Sequence, residues 1–386
     1  MPALLRTSSE EQGAPESNVT GLQIARAVSP RFQELILLPT EKCNLRCTYC
    51  YEDFKIGRMS EVTQRSLELY LEQRVPQLTG LRISWFGGEP LVARAVVLRL
   101  SRYAKALCDS NGVDFSGGLT TNAYHLDRET FVDLLACGQT FFQITLDGWR
   151  ETHDQVRRFA NGRGSFDQIW DNLLELRDVE TDFEILLRIH VRRDNIESLP
   201  TLIEKVAEAF GHDRRFRLDF EHVRDLGGDG GKTVIDGVSY TELGPIEQAL
   251  RERFYKSVAA AHGGQEDGLM ERRGEDVVFA EAKASGESAG SQRLADLQVG
   301  GPYICYASKP NSLLVRADGR IGKCTVALND PRNDIGRLRS DGTLEIDNPK
   351  LRPWIRGFEH LDEDTLGCPL AGMSSALRKE LEAISA

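Results

Sequence analysis

The chain has 386 residues, of which 40% are hydrophobic and 28% charged, and a formal net charge of −11. That composition describes a folded globular protein, long enough for one large domain and a smaller one, and excludes a disordered chain. The acid excess argues against a phosphate-backbone partner, which requires clustered Lys and Arg, so no nucleic acid is expected. Residues 1–20 carry no signal-peptide pattern and no run of 18 apolar residues occurs, so no membrane span is expected and the reading is cytoplasmic.

Residues 1–30 are polar and read as a flexible N-terminal arm. Short apolar runs follow at Glu34–Pro39, Leu81–Phe86, Gly118–Thr121, Phe142–Asp147, Glu184–Val191 and Phe216–Glu221, the pattern of parallel strands covered on both faces. Amphipathic stretches of helical length separate them, at Ser60–Arg74, Arg94–Ser110, Asp127–Ala136, Phe166–Arg177 and Ile196–Phe210, several opened by a capping residue such as Ser60, Asp127 or Ser165. Six such units predict an α/β fold over residues 31–235, a partial (β/α)6 barrel two units short of the closed one. Residues 236–301 read as a helix, Thr241–Ala261, followed by a mobile linker rich in Gly, Ser, Glu and Arg. Residues 302–386 change to a small hairpin-and-helix domain. Asp318-Gly319 and Asp341-Gly342 are hairpin turn signals, and a last helix is expected from about Ser374.

Eight cysteines stand at 43, 47, 50, 108, 137, 305, 324 and 368. In a reducing compartment, clustered cysteines read as metal ligands before disulfides. Cys43, Cys47 and Cys50 lie on one loop just after the first strand, spaced Cys-x3-Cys-x2-Cys. Three thiolates can hold three irons of a [4Fe–4S] cubane, which four cysteines would fill. The fourth iron is then open to a chelating amino-acid group. The competing reading, a zinc site, wants a fourth Cys or His nearby, and the nearest candidate, His125, is distant in sequence. Cys108 and Cys137 sit between apolar residues in helical patterns and read as core.

The spacing, the aromatic Tyr49 before the third cysteine and the place after strand one resemble the radical S-adenosylmethionine (SAM) superfamily. The resemblance implies a SAM-chelated cluster. Its one-electron reduction cleaves the sulfonium to a 5′-deoxyadenosyl radical, which abstracts a hydrogen atom. Trp85-Phe86-Gly87-Gly88-Glu89-Pro90 resembles the family's Gly-Gly-Glu segment, in which the glycines allow close backbone approach and Glu89 accepts from the cofactor's amino group; an ordinary turn is the alternative. Thr145-Leu146-Asp147-Gly148 with His153-Asp154-Gln155-Val156-Arg157 resembles the segments of peptide- and protein-modifying members that hold the cofactor carboxylate. This points to Thr145 and Arg157, with a surface salt bridge as the other reading of Arg157 and a structural cap as the reading of His153. Asn122 either faces the site or makes an Asx turn. Arg188 and Asn195 are further cofactor candidates; Arg188 faces inward only if Leu186 and His190 do, and a helix cap is the other reading of Asn195.

Cys305, Gly319 and Cys324, spaced Cys-x13-Gly-x4-Cys across the first hairpin, resemble the start of a SPASM domain or its short twitch form. Cys368 is the natural third ligand. Only three cysteines follow residue 300, fewer than the full SPASM pattern, which implies one auxiliary [4Fe–4S] cluster whose fourth ligand is unassigned. Gly227–Lys232 misses the phosphate-loop spacing because Leu226 stands where a glycine is required, and reads as a flexible loop at the site mouth. Asp225 beside it is the candidate base.

The group so resembled implies a maturase of a ribosomally made precursor peptide, forming a cross-link or epimerising a centre. A twitch-type dehydrogenase or cofactor-biosynthesis enzyme acting on a small molecule is the alternative. Expected partners are the precursor peptide, a separate leader-binding protein, since no such domain fits in residues 1–30, and a reductant such as flavodoxin or ferredoxin.

Overall fold

The computed structural model describes residues 18–234, 237–262 and 303–373. Six parallel strands, β1 (Phe32–Leu37), β2 (Gly80–Trp85), β3 (Asp114–Thr121), β4 (Gln139–Leu146), β5 (Glu184–Val191) and β6 (Phe216–His222), lie in chain order. Each sits within a few residues of its predicted run. The helices that cross between them are α2 (Glu61–Arg74), α3 (Arg94–Asn111), α4 (Arg128–Ala136), the short α5 (Glu151–Val156), α6 (Phe166–Arg177) and α7 (Leu199–Phe210). The sheet curves into an unclosed (β/α)6 barrel with β6 at one edge. Its outer face buries Leu35, Leu37, Ile83, Trp85, Leu119, Phe142, Ile144, Ile185, Leu187 and Ile189 in the main core. Cys108 and Cys137 lie in that core, 0% and 2% exposed.

Caps define the helix starts. Ser60 Oγ accepts from Thr63 N–H at 3.1 Å and Asp127 Oδ1 from Thr130 N–H at 2.8 Å. Ser165 does not cap α6. Its hydroxyl is spent on Arg157 O at 2.7 Å, and Asp154 Oδ1, from the preceding segment, accepts from the N–H groups of Ser165 and Phe166 at 2.7 and 3.0 Å.

Part of the expected loose arm is ordered. Gly21–Val28 forms α1, closed by a Thr20–Gln23 capping box. Its apolar side packs with Val19 against Ile304, Phe358 and Leu366. That burial holds a segment whose polarity alone suggested none. After β6 come a single turn, α8 (Gly228–Gly231), and α9 (Tyr240–His262), which packs on α7. The expected linker over 263–301 and the terminal helix from Ser374 lie outside the described residues.

Both hairpins are present: β7 (Ser312–Val315) with β8 (Arg320–Gly322), and β9 (Gly336–Leu338) with β10 (Leu344–Ile346). They are not a separate sheet. β7 pairs in parallel with β1, from Glu34↔Ser312 to Leu37↔Val315, so ten strands run in the order β10-β9-β8-β7-β1-β2-β3-β4-β5-β6. On the inner face Ile36, Leu38, Leu314 and Leu328 bury together and seal the junction.

Candidate active site

The chain leaves β1 and crosses the carboxyl ends of the strands as the cysteine loop. Backbone bonds fix it: Arg46 N–H to Arg158 O at 2.7 Å, Thr48 N–H to Val156 O at 3.0 Å and Met59 N–H to Pro39 O at 2.8 Å. Two glycine segments grip it. A Cβ at Gly87 (φ +116°) would collide with Thr40 O, and one at Gly88 with the carbonyls of Glu41 and Lys42. The structure therefore turns these glycines toward the cysteine loop itself, and their close approach is to protein backbone. From the other side, Cβ atoms at Gly228 and Gly230 would strike Tyr51 O and Cys50 O. The Gly227–Lys232 loop thus rests on the cysteine loop, tied by Thr233 Oγ1 to Thr48 O at 3.1 Å.

Burial pushes the Cys43 thiol well up, and Glu89, Cys47 and Cys50 add to it. Cys50 is pushed up to about 12 by burial and then by Cys47. Cys47 is raised by burial against the opposing charge of Arg157. Three thiols that feel one another and cannot ionise without a cation are a donor set that a positively charged metal centre would satisfy. The side-chain nitrogen of Asn44, buried beside Cys43, makes no hydrogen bond among the described residues, a donor that an anionic thiolate-bound centre would use. No three His, Cys, Asp or Glu side chains among the described residues converge on a single ion. A cubane spreads its ligands over separate irons, so its three thiols need not converge on one point. The residues fit the cluster.

Around the loop, Glu89 is 1% exposed, and burial raises its carboxyl despite three bonds. Those come from Thr121 Oγ1 at 2.8 Å, Leu91 N–H at 2.9 Å and Asn122 N–H at 2.7 Å. Asn122 makes an Asx turn and also reaches toward the cysteine loop. Its Oδ1 accepts from Tyr124 N–H at 3.0 Å, an Asx turn, and its Nδ2 donates to Asn44 Oδ1 at 2.8 Å beside Cys43.

A buried polar hub forms at the ends of β4 and β5. Asp147, fully buried, accepts from Tyr49 Oη at 2.6 Å and Arg192 Nη1 at 2.8 Å. Arg157 Nη1 donates to Tyr49 Oη at 2.8 Å while its Nε faces Asp147 at 3.6 Å, so Arg157 is an inner residue and not a surface ion pair. His190 Nδ1 lies 3.1 Å from Tyr49 Oη. Burial would raise the Asp147 carboxyl, but the hydrogen bond and charge of His190, with Arg157 and Arg192, hold it well below the usual carboxylate range. His153 is structural. Its Nδ1 accepts from Asp147 N–H at 3.4 Å, leaving Nε2 to donate to Ser165 Oγ at 3.2 Å.

Thr145 is buried in β4 opposite Arg188 of β5. Arg188 and His190 share one strand face, and Arg188 Nε donates to Asp219 Oδ2 of β6 at 2.7 Å. Asn195 differs from its expected role. Its amide donates to Asp147 O at 2.8 Å and His190 O at 2.9 Å and accepts from Arg192 N–H at 2.8 Å. That leaves a staple between two loops and no free donor for a cofactor. Asp225 also differs. It is exposed, and its Oδ1 accepts from Gly227 N–H at 2.8 Å, shaping the glycine loop. The hub also uses His190 and Arg192; alternation with Arg188 along β5 signals His190, while Arg192, one residue past the strand, carries no such signal.

The second cysteine set also comes together. Cys324 is pushed up to about 12 by burial, with Cys305 and Cys368 adding to it. Cys324 N–H donates to Asn333 Oδ1 at 3.0 Å and Cys305 N–H to Leu366 O at 2.9 Å; Cys368 is exposed. Lys323 lies buried beside them, its ammonium on the carbonyls of Lys309, at 2.6 Å, and Ser312. The Tyr51 phenol, raised by burial and then by Glu52, Tyr306, Cys50 and Cys324, stands between the two sets. Beside it a cavity of about 240 Å³ is walled by the cysteine-loop exit (Tyr51, Glu52, Asp53), the glycine loop and Val326–Asp330.

The model of the radical SAM superfamily matches residues 37–206. The chain carries a radical SAM domain. That domain's family implies SAM and a [4Fe–4S] cluster. It is 26% identical over 218 residues to Fe-coproporphyrin III synthase of Methanosarcina barkeri, covering 56% of this chain and 50% of that protein. It is 26% identical over 289 residues to GTP 3′,8-cyclase of Gloeobacter violaceus, covering 74% and 78%. It is 26% identical over 181 residues to a serine-type anaerobic sulfatase-maturating enzyme of Klebsiella aerogenes, covering 44% and 43%. The chain thus spans half or less of two of these relatives. Among solved structures, anSMEcpe with bound AdoMet and Cp18Cys peptide superposes with a TM-score of 0.58 at 18% identity, over 86% of this chain and 82% of that one. Streptococcus suis SuiB bound to precursor peptide SuiA gives 0.54 at 14%, over 88% and 69%. These shared folds place the radical SAM domain in a partial barrel with a C-terminal extension. No helix of the described residues is long and apolar enough to cross a membrane.

Proposed function

We propose that this radical SAM enzyme matures a precursor peptide: it abstracts hydrogen from one residue, leading to a cross-link of cyclophane or thioether type or to epimerisation. The observation that carries this is the cavity. At about 240 Å³ it is smaller than the roughly 300–1,000 Å³ clefts that enclose a drug-sized molecule. It suits a side chain delivered by a polymer lying outside, and its walls include Tyr51, next to Cys50, and Val326, two residues past Cys324. Relatives named as sulfatase-maturating enzymes support the same reading.

In this reading Cys43, Cys47 and Cys50 hold the radical cluster and Cys305, Cys324 and Cys368 an auxiliary one. When bound, the cluster and SAM supply the 5′-deoxyadenosyl radical. The rest is binding and shielding. Glu89 and Asn122 border the cofactor's amino end next to Cys43. Thr145 and Arg188 line the barrel interior. Arg157, propped by Tyr49 and Asp147, offers a fixed guanidinium to a carboxylate. The glycine loop lies over the cysteine loop and keeps water from it. A leader-binding protein and a separate reductant complete the system.

A second reading, a small-molecule enzyme, has one observation in its favour: the GTP 3′,8-cyclase relation spans most of both chains. Anaerobic reconstituted enzyme with SAM and dithionite, offered the short peptide encoded beside its gene, separates the two. Deoxyadenosine that rises with the peptide, with a peptide lighter by two hydrogens or epimerised at constant mass, supports maturation. Deoxyadenosine that rises only with a nucleotide or other metabolite refutes it.

A further inference from the structure

Three exposed arginines crowd the outer side of the cysteine loop: Arg46, Arg158 and Arg163. Backbone pairing holds them together. Arg46 N–H donates to Arg158 O at 2.7 Å, Leu45 bridges Phe159, and Phe159 N–H donates to Arg163 O at 2.9 Å. Arg46 Nη1 donates to Cys43 O at 2.7 Å, and its guanidinium lies 4.6 Å from the Phe54 ring centroid. Arg163 lies over Phe159 at 4.4 Å and donates to Tyr124 Oη at 3.0 Å. None of the three meets a carboxylate within ion-pair distance among the described residues. Arg65, Arg94, Arg99 and Lys105 elsewhere on the surface all do. On a chain of net charge −11, three unpaired cations on one ridge make a local field opposite in sign to the whole.

We infer that this ridge docks an acidic one-electron carrier protein, which feeds the centre held by Cys43, Cys47 and Cys50. The inference rests on the proposed ligation by those cysteines. One electron leaves the carrier and one enters the centre, and no atom is transferred. Geometry favours this side. Arg46 touches the carbonyl of Cys43, so the ridge is one residue's backbone from a ligand. The inner side of the loop is taken up by the Asp147 hub and the cavity. Charge selects the partner: opposite charges raise encounter rates by about 10- to 1,000-fold, and salt erases the gain.

The test uses full-length reconstituted enzyme and flavodoxin hydroquinone, following loss of iron–sulfur absorbance by stopped flow. The variant is R158E/R163E; Arg46 is left intact because it holds Cys43 O. Flavodoxin reduction should slow by about 10- to 100-fold at low salt and lose its salt dependence, while reduction by dithionite keeps its rate. R253E/K256E, the same charge change on α9, should leave both rates alone. An unchanged flavodoxin rate in R158E/R163E, or an equal loss in R253E/K256E, overturns the docking surface. So does weakened binding of an acidic peptide with normal flavodoxin reduction, which would assign the ridge to substrate. Wild-type protein that dithionite cannot bleach overturns the ligation reading, and the docking with it.

Discussion

Arg316, just past β7, and Glu41, two residues before Cys43, form a buried bidentate pair. They are 5% and 2% exposed. Nε donates to Oε1 at 2.8 Å, Nη2 to Oε2 at 2.6 Å, and Nη1 to Leu328 O at 2.6 Å. Arg316→Met removes all three bonds and strands a carboxylate. Two charge-assisted bonds at about 1.5–3 kcal/mol each agree with the roughly 3–5 kcal/mol lost when one partner of a buried pair is deleted. The expected cost is about 4 kcal/mol, close to a thousandfold in the folding equilibrium. Urea unfolding followed by circular dichroism under anaerobic conditions measures it, with iron release recorded in parallel. E41L/R316L, which removes both charges, should return to within about 1 kcal/mol of wild type. A single variant costing less than 1 kcal/mol, or a double as unstable as the single, would refute the argument that this pair locks hairpin to cysteine loop.

Burial, with the nearby Arg157 charge, lowers His153 to about 3 against about 6.5 in an unfolded chain. The unfolded state therefore binds more protons between those values, and this contribution is whole above pH 6.5 and shrinks as pH falls below it. From pH 7 to 5.5 wild type should lose about 1.4 kcal/mol more than His153→Gln by urea titration; equal losses would show the imidazole is not held neutral. Asn195→Ala should cost about 2–4 kcal/mol from its three bonds with SAM affinity retained by the folded fraction. Full stability with lost SAM binding would restore it as a cofactor contact. Gly230→Ala, forced against Cys50 O, should lower iron and sulfide retention in anaerobic preparations, and full retention would count against the loop's grip. Cys43/Cys47/Cys50→Ala should halve the iron, from about eight to about four per chain if two cubanes are present.

The barrel was legible because its strands are covered on both faces, which leaves unbroken apolar runs, and because Ser60 and Asp127 mark their helices. The Cys43–Cys50 triad was legible because it is local in sequence. What escaped is long-range. Nothing near Arg316 announces Glu41, and a short run such as Ser312–Val315 reads as a hairpin arm without telling that its other edge joins β1. The roles of Asn195 and Asp225 were misjudged for a related reason. Short polar side chains near strand ends serve the backbone as readily as a ligand, and only the partner atoms decide.

The pairing of β7 with β1 has a consequence for biogenesis. Gln33 and its partner Asn311 are 278 residues apart. During synthesis the first strand leaves the ribosome early and waits with one edge bare until β7 appears. Such distant closure is slow, and a bare edge invites pairing with other chains. Iron–sulfur loading before β7 has appeared would meet a half-built cradle, and products truncated before β7 should emerge iron-free and prone to aggregate.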